Sequence, residues 1–303
     1  MATNSHHLVT LSGVTVSGLI GNQNGQGSKR AMDIAMQVKI LVQTIANTLG
    51  YEIYKLPPLV PPVQIRVIAG PFVNAHDYQA VAEEFMNYFK NIGGLKPNES
   101  VLDVGCGCGQ MAAALTGYLD KSAIYEGFDI VNKVINWCEK NISSKYPNFH
   151  FKLADIFNRR YNPNGRYTAT TYKFPYKDQS VDFVFLKSVF THMLPEDLEN
   201  YLSEVARVMK RGGRCLISYF LLNTESLKLI DARSSTLDFK HVFETYRTTN
   251  KAVPEEAVAY NEEYVHNLYD KFGLHIIEPV YYGSWCGRRD FLSYQDIAIA
   301  SRK

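Results

Sequence analysis

A chain of 303 residues has room for one α/β domain of about 200 residues and an appendage of about 100. Hydrophobic residues at 46% and charged residues at 20% describe a globular chain that buries a core, and a net charge of +2 argues against a dedicated nucleic-acid binder. No apolar run approaches the roughly 20 residues of a membrane helix, and the stretch from Leu8 to Ile20 lacks the basic lead of a signal peptide.

Residues 21–28 are polar and glycine-rich and read as a loop. Ala31, Ile34, Ala35, Val38, Leu41, Val42, Ile45 and Leu49 then recur at helical spacing, with Ser28 as N-cap and Gly50 as the stop. The prolines of KLPPLVPP predict an extended run. A second amphipathic helix carries Val81, Ala82, Phe85, Met86 and Phe89 and ends at Gly93 and Gly94. From residue 99 strands alternate with helices: VLDVG, AIYEGFDI ending at Asp129, FHFKLAD ending at Asp155, and SVDFVFLKS. A helix opens at Pro195, faces Leu198, Leu202, Val205 and Val208 one way, and closes at Lys210 and Arg211 before Gly212 and Gly213. RCLISYFLL is a fifth strand, and GLHIIEPVYYG and SYQDIAIASR supply two more. The alternation predicts a doubly wound, mostly parallel sheet covered on both faces. The domain reading is an extension over 1–98 and an α/β domain over 99–303, interrupted at about 222–260.

The chemistry concentrates in VLDVGCGCGQ, where a strand runs into glycines at 105, 107 and 109 and a helix begins near Gln110. Such glycines let backbone come close to a ligand, but alone they mark a dinucleotide site equally well. A dinucleotide fingerprint wants a small residue where Gln110 stands. Asp103, two residues before the first glycine, suits a cationic ammonium or sulfonium and repels a pyrophosphate. Asp129 falls 20 residues past Gly109, where it can accept from both hydroxyls of a ribose. Asp155 ends the third strand within reach of an adenine amino group, with Ile130 and Ile156 as apolar neighbours for the ring. All three acids lie at carboxyl ends of strands, where open α/β sheets bind ligands. The cysteines Cys106, Cys108, Cys138, Cys215 and Cys286 fit neither a disulfide framework nor a zinc site, so reduced thiols in a cytoplasm and no metal are expected.

On these motifs, with FVFLKSVFTHML and RGGRCLISYF, residues 99–303 resemble a class I (Rossmann-like) S-adenosylmethionine-dependent methyltransferase of small-molecule type. The resemblance implies a seven-stranded sheet with an antiparallel last strand and S-adenosylmethionine as cofactor. It implies that Gly105, Gly107 and Gly109 wrap the methionine part, with Cys106 in the same cofactor-binding loop, that Asp129 holds the ribose, and that Asp155 with Ile156 meets the adenine, Ile130 lying beside the ring. Lys187 and Ser188 line the floor beside the transferable methyl. Family members that methylate base or glutamine amino groups often carry N/D-P-P-Y/F there; LKSVF disfavours that chemistry.

Methyl transfer to a hydroxyl needs a positioned base, and His192, between the fourth strand and the helix at Pro195, is the candidate. Residues 1–98 and about 222–260 are read as a cap or an interface. Their aromatics include Tyr51, Tyr54, Phe72, Tyr78, Phe239, Phe243 and Tyr246, with Tyr161, Tyr167 and Tyr172 in the loop before the fourth strand. The functional expectation is O-methylation of a small or mid-sized molecule in secondary-metabolite tailoring, with no nucleic acid or membrane partner and a possible homodimer. Carbon methylation, a protein or RNA acceptor, and a non-catalytic cofactor-binding module stay open as alternatives.

Overall fold

The computed structural model describes residues 59–303, together with Gln37. The chain divides into two units, Met1–Lys55 and Leu56–Lys303, and the fold below is that of the second. The loop over 21–28 and the helix over 31–49 fall outside the described residues, Gln37 apart.

α1 (Val63–Arg66) and α2 (Ala75–Asn91) precede the sheet. The turn between them is clamped by buried Arg66, whose guanidinium donates to the carbonyls of Pro61, Phe72 and Val73. The sheet then alternates as expected: β1 (Val101–Val104), α3 (Gln110–Leu115), β2 (Tyr125–Asp129), α4 (Asn132–Cys138), β3 (Phe149–Leu153), β4 (Val181–Leu186), α5 (Pro195–Val208) and β5 (Met209–Tyr219). After β5 come β6 (Leu221–Leu222), α6 (Thr224–Asp231), β7 (His241–Val242), β8 (Tyr246–Thr248), β9 (Val258–Asn261), α7 (Glu262–Lys271), β10 (Leu274–Ile276) and β11 (Asp296–Arg302).

The seven-stranded sheet has the order β10-β11-β5-β4-β1-β2-β3. β1 pairs in parallel with both β2 and β4, while β11 runs antiparallel to β5 and β10. The chain therefore reverses its winding between β1 and β4, the point where open α/β sheets form a crevice at the carboxyl ends of the strands. The interruption near 222–260 forms a four-stranded sheet of its own, β6-β9-β8-β7.

Burial follows the strand pattern. Leu102, Val104, Val184, Leu186 and Ile217 pack toward α5 in one core; Val101, Phe183, Phe185 and Leu216 pack with Phe85 and Phe89 of α2 in the other. The helix expected to close at Arg211 ends instead at Val208, and residues 209–213 already belong to β5. Met209 pairs with Val181, and the register shifts before Arg214 meets Phe183, so the KRGG segment is a bulge in the strand.

Candidate active site

β1 runs into Gly105, Gly107 and Gly109 at φ of 77°, 51° and 75°, a region where side chains are strained. Space is equally restrictive: a Cβ on Gly105 would stand 2.5 Å from Val189 Cγ2, and one on Gly109 2.5 Å from Ile142 Cδ1. Asp129 at the end of β2 holds this loop, its Oδ2 accepting from the Gly107 amide and its Oδ1 from the Val131 amide, each at 2.9 Å. A carboxylate has about four acceptor positions, so capacity is left for hydroxyls of a ligand. Burial raises the Asp129 pKa in spite of these amides.

Asp103 is only 2% exposed, and its Oδ2 accepts the Tyr125 hydroxyl at 2.6 Å. Burial lifts its pKa to about 7, against that hydrogen bond and the charge of Lys187. A buried carboxyl poised to ionise suits a cationic ligand. Cys106 is buried; its amide donates to the Phe128 carbonyl at 3.0 Å, and burial pushes its thiol pKa well up. It belongs to the loop through its backbone.

Asp155 lies two residues beyond β3 with its carboxylate engaged. Arg166 Nε donates to Oδ2 at 2.6 Å and Asn162 Nδ2 to Oδ1 at 3.4 Å, and the arginine bond holds the carboxyl below its usual pKa. Ile130 is half-buried, while Ile156 is turned into the core and bridges to Tyr167. The exposed apolar surface beside Asp155 belongs instead to Leu153, Phe157 and Tyr167.

Lys187 follows the last residue of β4. Its ammonium lies 5.5 Å from the ring centroids of both Phe72 and Phe85, and burial lowers its pKa to about 8 while Asp103 and Glu84 oppose the shift. Ser188 has φ 58°, a rare conformation for a side-chain-bearing residue. Its amide donates to Ser218 Oγ at 2.8 Å and its hydroxyl to Gln295 Oε1 at 2.9 Å, which also accepts from Ser218 Oγ at 2.7 Å.

His192 sits in a single turn, Phe190–His192, between β4 and α5. Its Nδ1 is 3.0 Å from the Glu255 carbonyl oxygen, and its ring meets the edge of Tyr161 at 5.7 Å. A carbonyl only accepts, so Nδ1 carries the proton and Nε2 of the neutral ring keeps its lone pair. Burial lowers the imidazole pKa from 6.5. The neutral form is therefore the resident one at pH 7.

The crevice thus gathers Asp103, the glycine loop, Asp129, Lys187 and Ser188 at neighbouring strand ends, with His192 one turn beyond. Lys187 lies on the side of α2 and Asp103, and His192 on the side of Tyr161 and Glu255. Among the described residues no group of histidine, cysteine and acidic side chains has the arrangement of a metal site. A separate groove of about 380 Å³, lined by His266, Asp270, His275 and Glu278, lies by the β10 edge and contains none of these residues.

A family model described as a methyltransferase domain matches residues 95–273. The chain belongs to this methyltransferase-domain family. Over 122 residues it is 29% identical to the O-methyltransferase cnsE of Penicillium expansum, a stretch covering 40% of this chain and 37% of that protein. The crystal structure of the PH0226 protein from Pyrococcus horikoshii OT3 covers 76% of this chain and 93% of its own, at 16% identity and a TM-score of 0.50, a likeness of fold.

The residues present fit S-adenosylmethionine as a methyl donor. The loop lets backbone approach closely, Asp103 offers a buried carboxyl to a cation, and Asp129 keeps acceptor capacity. Glu84, Gln295 and Glu255 escaped the sequence reading. Each reaches the crevice from a distant segment (α2, the start of β11, and the loop before β9), so no local spacing announces it. Two of the aromatics named for the cap or interface, Tyr78 and Phe239, are packing residues. Tyr78 is buried with its hydroxyl 3.3 Å from the Cys108 carbonyl, and Phe239 packs on Phe220 and Trp285.

Proposed function

We propose that the protein transfers the methyl group of S-adenosylmethionine to a hydroxyl oxygen of a small or mid-sized organic molecule, as in tailoring of a polyketide, peptide or glycosylated product. The observation that carries this reading is the hydrogen bond between His192 Nδ1 and the Glu255 carbonyl at 3.0 Å. It leaves Nε2 as an acceptor on a ring that is uncharged at neutral pH, which is what removing a hydroxyl proton requires. The partial relationship to an O-methyltransferase supports the same reading.

In this scheme Gly105, Cys106, Gly107 and Gly109 wrap the methionine part through their backbone, and Asp103 faces its ammonium. Asp129 takes the ribose, and Asp155 the adenine, with Ile130 and the exposed apolar surface of Leu153, Phe157 and Tyr167 beside the ring rather than the buried Ile156. Bound there, the cofactor supplies an electrophilic methyl on a sulfonium. Ser188, held by Ser218 and Gln295, shapes the floor beneath the acceptor. His192 Nε2 would take the hydroxyl proton as the acceptor oxygen bonds to the methyl carbon and the carbon–sulfur bond breaks, with neutral S-adenosylhomocysteine as the leaving group. Orientation supplies most of the acceleration, and a positioned base commonly adds about 10²–10⁴-fold.

The α/β domain over 99–303 carries the chemistry, and the described part of the extension, residues 59–98, acts with 222–260 as its cap. Phe72 and Phe85 over Lys187 support this, as does Arg159 Nη1 reaching the Ala252 carbonyl at 2.6 Å. Among the described residues no helix is long and apolar enough to cross a membrane, and all five cysteines are free thiols, which agrees with a cytoplasmic enzyme.

Incubation with methyl-labelled S-adenosylmethionine and a panel of phenols, alcohols and amines tests the assignment. The expected product carries the label as a methoxyl group, read by mass and NMR spectra. Label on carbon or nitrogen, or in protein or RNA alone, contradicts it.

A further inference from the structure

Lys187 makes no hydrogen bond or ion pair with any described residue, although its ammonium is flanked by two carboxylates. Both are held back. Asp103 Oδ2 is tied to the Tyr125 hydroxyl at 2.6 Å, and Glu84 Oε1 accepts from Tyr88 at 2.8 Å and from Ser293 at 2.6 Å. Phe72 and Phe85 wall the ammonium at 5.5 Å each. The result is a fixed positive group and a fixed carboxyl side by side above the glycine loop, neither neutralised by the other at contact distance. A ligand complementary to that pair carries an ammonium and a carboxylate on neighbouring atoms.

We infer that Lys187 is the counter-ion of the cofactor's methionine carboxylate, gripping it beside Asp103, which faces the methionine ammonium. The inference rests on the S-adenosylmethionine reading and deepens it, giving Lys187 a task other than lining the methyl floor. Position separates it from a base: Lys187 lies toward α2 and the Cys108 turn of the glycine loop, whereas His192 lies across the crevice beside Tyr161. Charge supports it too. A half-buried ammonium with no contact partner is costly, and a ligand carboxylate relieves that cost in the bound state only. Lys187 is thus a positioning residue that fixes the amino-acid tail and, through it, the sulfur.

Calorimetric titration separates this role from a structural one. The ligands are S-adenosylhomocysteine, its decarboxylated analogue, which keeps the amine and the nucleoside, and methylthioadenosine, which lacks the whole tail. The proteins are wild type, Lys187→Met and Lys187→Arg, each checked for a cooperative thermal melt. Lys187→Met is expected to weaken S-adenosylhomocysteine by about 10- to 100-fold, the worth of a charge-assisted hydrogen bond. It leaves the other two ligands within about threefold, and Lys187→Arg recovers most of the loss. Equal weakening of all three ligands, or S-adenosylhomocysteine weakened by less than about threefold, overturns the assignment. Wild type needs no variant: equal affinity for S-adenosylhomocysteine and its decarboxylated analogue also overturns it. Failure of wild type to bind S-adenosylhomocysteine at all rejects the cofactor reading itself.

Discussion

Replacing Gly109 by alanine tests whether the loop after β1 is fixed by both conformation and space. At φ 75° a side chain costs about 1 kcal/mol of backbone strain. The new Cβ would also stand 2.5 Å from Ile142 Cδ1 and 3.1 Å from Cys138 Sγ, in a core where both residues are fully buried. Overpacking of that kind adds about 1–3 kcal/mol, for a total of about 2–4 kcal/mol. Gly212 provides the control, because it has φ 74° but nothing within 4 Å of its would-be Cβ, so its alanine variant carries the strain alone. For a domain of this size each kcal/mol lowers Tm by about 2–4 °C. Thermal melts followed by circular dichroism should therefore fall by about 2–4 °C for Gly212→Ala and about 4–16 °C for Gly109→Ala. S-adenosylhomocysteine affinity at a temperature where both stay folded should drop only for Gly109→Ala. Equal Tm losses would refute the packing argument, and unchanged affinity in folded Gly109→Ala would refute the loop as a cofactor cradle.

His192→Ala should lower kcat by about 10²–10⁴-fold with unchanged S-adenosylhomocysteine affinity, and the wild-type rate should rise with pH along a limb centred below 6.5, since burial lowers this imidazole. Retained turnover at neutral pH would remove the base role. Asp103 titrates near 7 when folded against 3.8 ordinarily, so its ionisation weakens the free protein as pH rises from about 4 to about 7, and Asp103→Asn should flatten that slope in denaturant unfolding. A cation placed beside Asp103 favours its ionised form, so S-adenosylhomocysteine binding near pH 6 should release a proton in wild type and not in Asp103→Asn, read from calorimetric enthalpies in buffers of different ionisation heat. Asp296→Ala should cost about 3–5 kcal/mol, because buried Asp296 accepts from Arg288, the Trp285 indole and the amides of Gly283 and Leu221. Trp285→Phe, which removes one of those donors, should cost far less in the same unfolding assay.

The sheet was readable because its strands announce themselves: VLDVG and SVDFVFLKS are buried on both faces and end at turns, as parallel strands must. The glycine loop and Asp129 were readable for a related reason, since residues close in sequence build that corner. The start of β5 was not. A basic pair followed by two glycines has the signature of a helix C-terminus, and only pairing with β4 pulls Met209 and its successors into the sheet. Asp155 shows the same limit. Its position at a strand end is legible, but its ion pair with Arg166, 11 residues on, depends on how the intervening loop folds back. Trp285 lies in the segment between β10 and β11. It is buried, with its indole on Asp296, because a carboxylate there must gather donors from two segments, 283–288 and Leu221, to be tolerated. Long-range polar contacts of this kind leave no periodicity in the chain.

A crystal structure with S-adenosylhomocysteine bound decides whether the glycine loop, Asp129 and Lys187 form one methyl-donor site. The expected electron density has the amino-acid tail between the Gly105–Gly109 loop and Lys187, the ribose hydroxyls on Asp129, and the sulfur facing the space between Ser188 and His192 Nε2. A nucleoside found elsewhere on the molecule, or a tail with its carboxylate turned away from Lys187 and its sulfur remote from His192, would contradict it.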